Sequence, residues 1–220
     1  MGNPEPGTRV LVVGGHSRNI GKTTLVVDLI RALPQAAWTA VRITQFGHSV
    51  CSIDGAVCDC APAEHAFALD EEQDRGNRTD TSRFLVGGAA RALWLRTKQG
   101  FLGEAMPLLR EELRGAQNVI VESNSVLDFL DPELCLVVLD PRQPDFKKTA
   151  RRFLERADAF VLRSPLEAGG WPGVPKELIE GQPCFLQPLG TPLPDLLTRF
   201  VCERFLAGSA VSTQSPQAGA

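Results

Sequence analysis

Eleven consecutive residues, Gly14-Gly15-His16-Ser17-Arg18-Asn19-Ile20-Gly21-Lys22-Thr23-Thr24, concentrate the residue types that hold phosphate. Glycines let the main chain turn so that several N–H groups converge on one anion. Gly15, Ser17, Arg18, Asn19, Ile20 and Gly21 would supply those amides. A helix opening at Lys22-Thr23-Thr24 would add the positive end of its dipole. Lys22 is placed to neutralise β- and γ-phosphate charge, and the Thr23 hydroxyl to help hold Mg²⁺. The ligand expected from this chemistry is ATP or GTP. Five residues separate Gly15 from Gly21, one more than in the common phosphate-loop pattern.

Acids at the ends of apolar runs are the next candidates. Asn118–Glu122 is an apolar strand ending in Glu122, and ligands of parallel sheets sit beyond the carboxyl ends of strands. Glu122 could bind Mg²⁺ or orient an attacking water, or be a solvated strand end. Asp140 closes a second apolar run, Leu134–Asp140, where it could do the same or start a turn ahead of Pro141. Asp80 opens a helix, where an acid can act as a cap.

Cys51, Cys58 and Cys60 fall within ten residues, between His48 and His65. Three thiolates and His65 suit Zn²⁺ or an iron–sulfur cluster; free thiols packed as small hydrophobes are the alternative. His48 is a further candidate, as metal ligand or as a polar group near a substrate. Cys135, Cys184 and Cys202 read as core residues.

The elements that would position these groups alternate. Strands are expected at 8–13, 38–44, 91–96, 118–122, 134–140, 159–162 and 184–189, with helices at 22–33, 79–86, 104–114, 146–156 and 194–206. A short helix is expected near 63–72. Strands alternating with helices imply an α/β fold, a single three-layer domain with a mostly parallel sheet covered on both faces. The domain would span 8–206, with a cysteine-containing insertion at about 45–78, and residues 1–7 and 207–220 are expected to be disordered.

Composition excludes several classes. The chain has 220 residues, 43% hydrophobic and 22% charged, with 23 Lys+Arg against 26 Asp+Glu, a net charge of −3. That balance gives no broad basic face for a nucleic acid. No run of about 18 apolar residues offers a membrane span, and the first residues lack an export signal, so a cytoplasmic protein is expected.

The longer phosphate loop resembles that of dethiobiotin synthetases and cobyrinic acid amide synthetases, a dimeric branch of P-loop NTPases. Three further pieces resemble the B-type protein of molybdopterin-guanine dinucleotide biosynthesis. They are the run Ile43–His48 after the second strand, the segment Asp80-Thr81-Ser82-Arg83-Phe84-Leu85-Val86-Gly87-Gly88-Ala89, and the pair Val121-Glu122. The resemblance spans roughly residues 8–125. It implies a P-loop NTPase fold, a nucleotide-binding role in molybdenum cofactor maturation beside a biosynthetic partner protein, a homodimer, and Asp80 close to the nucleotide. Two rival readings stay open: an ATP-dependent ligase of the dethiobiotin synthetase type, and a nucleotide-switched metal-binding accessory. The segment Phe160–Pro165 lacks the Asn-Lys-x-Asp pattern that often reads guanine, so the base is undetermined.

Overall fold

The structure, a computed structural model, describes residues 4, 5, 7–46, 66–166 and 171–207. The proposed cysteine centre (Cys51, Cys58, Cys60 and His65) and His48 lie outside these residues. So do the tail from 208 and the outermost N-terminal positions.

Eight strands form one sheet: β1 (Arg9–Gly15), β2 (Thr39–Phe46), β3 (Phe67–Glu71), β4 (Arg91–Lys98), β5 (Asn118–Glu122), β6 (Leu134–Leu139), β7 (Ala159–Leu162) and β8 (Cys184–Leu186). Their order is β3-β4-β2-β5-β1-β6-β7-β8. Every pairing is parallel except that of β3 with β4. The helices are α1 (Lys22–Ala32), α2 (Asp80–Gly87), α3 (Leu102–Glu112), α4 (Lys148–Phe153), α5 (Lys176–Glu180) and α6 (Asp195–Val201). Among the described residues no helix is long and apolar enough to cross a membrane.

Both faces of the sheet are covered, which is why its central strands are apolar throughout. Successive residues on β1 point to opposite faces. Val10 and Val12 pack with Leu102, Met106 and Leu109 of α3 and with Phe153 of α4. Leu11 and Val13 pack with Leu25 and Leu29 of α1, Phe84 of α2 and Leu197 of α6. Each such side chain, fully removed from water, contributes about 1.5–3 kcal/mol.

The expected helix near 63–72 is instead β3, an edge strand. Phe67 and Leu69 pack toward the α3 core, while Asp70 and Glu71 pair outward with Arg96 and Arg91 of β4. Two consecutive acids at the end of a short, half-buried edge strand break the period-2 pattern and leave a helix-like composition. Of the three cysteines read as core, Cys135 is buried, Cys202 is half-buried and Cys184 is exposed on the short edge strand β8. Burial pushes the Cys135 thiol up to about 12, so it stays protonated.

Candidate functional site

Strand β1 delivers the phosphate loop to the carboxyl edge of the sheet, between β5 and β6. Its exit is braced by Asn124, whose side-chain amide accepts from the Gly15 N–H and donates to the Gly15 carbonyl, both at 2.8 Å. A Cβ on Gly14 would stand 2.5 Å from Asn124 Oδ1, so this approach requires glycine.

Gly21 turns the chain into α1 with φ +84°, and no side chain caps the helix. The first amides of α1 are therefore left for a ligand, and an anion suits them. The Lys22 ammonium donates to the Ser17 carbonyl at 2.9 Å. Its pKa is lowered, chiefly by burial, against the attraction of Glu122. From behind, buried Arg163 at the end of β7 donates to the carbonyls of Ile20 (3.1 Å) and Gly21 (2.6 Å) and to Gln187. Gln187 in turn bonds Asp28 of α1 at 2.8 Å.

His16 points away from this edge into the protein. Its Nδ1–H donates to the Asp145 carbonyl (2.8 Å) and its Nε2 accepts the Asp140 N–H (3.0 Å). The ring rests against Phe146 and Trp171. Burial lowers its pKa, partly offset by the Asp145 hydrogen bond, which suits the neutral tautomer these bonds require. Ser17 Oγ donates to the Asp145 carboxylate at 2.9 Å.

One corner of the site gathers oxygen groups around a cation. Thr23 Oγ1 donates to Glu122 Oε2 at 2.8 Å. Arg42 of β2, in register with Glu122 of β5, donates to Glu122 (2.9 Å) and Thr23 (3.2 Å) and pairs with Asp80 (2.7 Å). Glu122 is thus a buried, bonded acid rather than a solvated strand end. Asp80 does not cap α2: that cap is Thr79, in a reciprocal box with Ser82. Asp80 faces Arg42 and Arg83 instead. Asp140 lies apart from the corner and closes a turn, accepting from the Arg142 N–H and guanidinium. Burial raises its pKa, but the Arg142 bonds outweigh that and hold it low.

A cavity of about 840 Å³ joins these groups, within the usual range for a small-molecule site. Arg18, Asn19, Gly21, Lys22, Thr23 and Thr24 line one part of it. Arg42, Asp80, Arg83, Trp94, Glu122 and Lys147 also line it. Ile20 is buried beneath the loop. Arg42, Arg163, Asn124 and Lys147 were not singled out from sequence. An arginine inside the apolar strand Thr39–Phe46 was a readable signal for the first of these; the other three depend on distant pairings.

No family model matches the chain, and no curated protein matches it. Among solved structures it is similar to LpxK from Aquifex aeolicus in complex with ATP. That match has 18% identity and a TM-score of 0.46, covering 84% of this chain and 55% of the other, so the chain spans about half the length of that protein. It is also similar to HypB from Helicobacter pylori in complex with nickel, with 15% identity, a TM-score of 0.49, and coverage of 95% of this chain and 92% of the other.

Proposed function

We propose that the chain is a Mg²⁺-dependent NTPase that grips the phosphates of ATP or GTP in the loop Gly15–Thr24 and acts in the maturation of a molybdopterin-type cofactor. The observation that carries the nucleotide reading is the loop entering α1 through left-handed Gly21, with half-buried Lys22 folded back onto the Ser17 carbonyl and Thr23 bonded to Glu122 at the end of β5. Converging main-chain amides and a desolvated lysine are costly unless an anion arrives to satisfy them.

The oxygen groups of Thr23, Glu122 and Asp80 fit a hard divalent cation. Their present partner, Arg42, supports the view that the corner is built around positive charge. Thr23 and Glu122 would hold Mg²⁺, with Arg42 giving up its bond to Thr23. When bound, the ion supplies neutralisation of the phosphate oxygens. Lys22 binds the β- and γ-phosphates, and Glu122 orients water at the γ-phosphate.

The cofactor-maturation role, the homodimer, the biosynthetic partner protein and a Zn²⁺ or iron–sulfur centre on Cys51, Cys58, Cys60 and His65 follow from the sequence resemblance and the cysteine spacing. A second reading, an ATP-dependent ligase, is favoured by one feature. The cavity runs on past the phosphate loop to Arg83 and Trp94, leaving room for an acceptor.

Titration calorimetry with Mg-ATP and Mg-GTP tests the nucleotide reading. Binding of at least one by the wild type, lost in Lys22→Ala, is expected. Absence of heat with both nucleotides would overturn it.

A further inference from the structure

Besides Asn124 and Arg163, the phosphate loop is coupled to the connection from β6 to α4. Inward-turned His16 bonds the main chain of both Asp140 and Asp145, and Ser17 bonds the Asp145 carboxylate. The Lys147 N–H closes the set by donating to the His16 carbonyl at 2.9 Å. Phe146 and Trp171 pack around the imidazole, and Trp171 is tied back to the Gln143 carbonyl at 2.7 Å. Residues 140–147 are therefore stapled to the loop, and the two must move together.

The staple ends on a lysine. Lys147 is half-buried and lines the same cavity as Lys22, Thr23 and Glu122. Among the described residues its ammonium makes no hydrogen bond or ion pair. The charged groups that act on it are Lys22 and Arg18 from the loop and α1, Asp145 from its own segment, and Glu122 from β5. Lys22, Arg18 and a desolvated Lys147 face one another here, and the repulsion of the two cations outweighs the attraction of Asp145 and Glu122. Glu122 and Thr23 mark the end of a phosphate loop where the metal and terminal phosphate belong.

We propose that Lys147 is a second phosphate-binding lysine, presented in cis by the His16 staple to the terminal phosphate of the nucleotide, and that it makes the site prefer a triphosphate to a diphosphate. The inference rests on the nucleotide reading above and names what that site selects. Burial and the repulsion of Lys22 and Arg18 bring the Lys147 pKa down to about 8. A phosphate anion beside it reverses that repulsion and draws a proton onto the amine.

The test compares ATP and ADP affinity for wild type, Lys147→Ala and Lys147→Arg, with melting curves to verify folding. Lys147→Ala should weaken ATP by about 10- to 50-fold and ADP by less than about 3-fold, because a charge-assisted bond to one phosphate is lost. Lys147→Arg should restore most of the preference. Calorimetry at pH 8 in two buffers of different ionisation enthalpy should show about half a proton more taken up on ATP binding by the wild type than by Lys147→Arg, whose guanidinium is always charged. Equal loss of ATP and ADP in Lys147→Ala, or no loss, with Lys22→Ala still abolishing binding, would overturn this proposal alone. A wild type that binds neither nucleotide would overturn the nucleotide reading with it.

Discussion

Two of the helices that begin at the cavity, α1 and α2, begin differently. α2 starts with Thr79 and Ser82 exchanging side-chain and main-chain bonds, so the amides of these two residues have partners inside the protein. α1 starts at a left-handed glycine with no side-chain cap. Local sequence accounts for both: Thr-x-x-Ser is a capping pair, whereas Gly-Lys-Thr has no side chain able to fold back. The α2 terminus carries its own side-chain cap. The α1 terminus is held in shape from outside, by Asn124 on one side and Arg163 on the other, and awaits an anion. What sets α1 apart is the left-handed glycine and the braced loop before it, since α3 to α6 also start without a side-chain cap.

Variants can break this contrast, and the largest effect is expected at Lys22. Lys22→Ala should weaken nucleotide binding at least 100-fold, through loss of a charge-assisted contact from a half-buried ammonium, with binding titration as the readout. Gly21→Ala should come next. Its Cβ would meet Leu189 Cδ2 at 2.5 Å and the Arg163 guanidinium at about 3 Å, at a φ that disfavours alanine. A stability loss of about 1–3 kcal/mol, seen in denaturant unfolding, should accompany reduced affinity.

Arg163→Met removes the brace behind the loop, strands the Ile20 carbonyl and leaves the Gly21 carbonyl with the Leu25 N–H alone. A comparable loss of about 1–3 kcal/mol is expected, readable as a drop of several degrees in Tm. Ser82→Ala sharpens the contrast from the other side. It should cost about 1 kcal/mol by weakening the α2 box while nucleotide affinity stays within about twofold.

The smallest effect concerns pH. His16 has a folded pKa below its unfolded value of about 6.5. Its contribution is therefore present above pH 6.5 and is lost as pH falls, because the unfolded chain takes the proton more readily. Unfolding free energy should fall between pH 7.5 and 5.5, and less steeply in His16→Gln.

The sequence made much of this legible. Glycine, lysine and threonine at fixed spacing announce the phosphate loop because the chemistry is local: one strand, one turn and one helix start. The central strands were readable because burial on both faces demands unbroken apolar runs, as in Leu134–Leu139. β3 was hidden because it is short and only half-buried, and its last two residues, Asp70 and Glu71, place an acid on each face.

The partners that complete the site were less visible, since they come from far along the chain. Arg163 reaches Ile20 across 143 residues and Asn124 reaches Gly15 across 109. No local pattern reports a pairing that exists only after the sheet has formed. Thr79 as the α2 cap was within reach of sequence. The Thr79-x-x-Ser82 spacing stood beside Asp80, and the acid drew attention from it.

The central claim is that the open amides at the start of α1, and not the closed ones of α2, receive a phosphate. Titrating ¹⁵N-labelled protein with Mg-ATP and following main-chain N–H resonances tests it most directly. The amides of Gly15–Thr24 should shift strongly and saturably, with those of Asp80–Ser82 moving little. Unmoved loop amides at saturating nucleotide, or equal shifts at both helix starts, would contradict it.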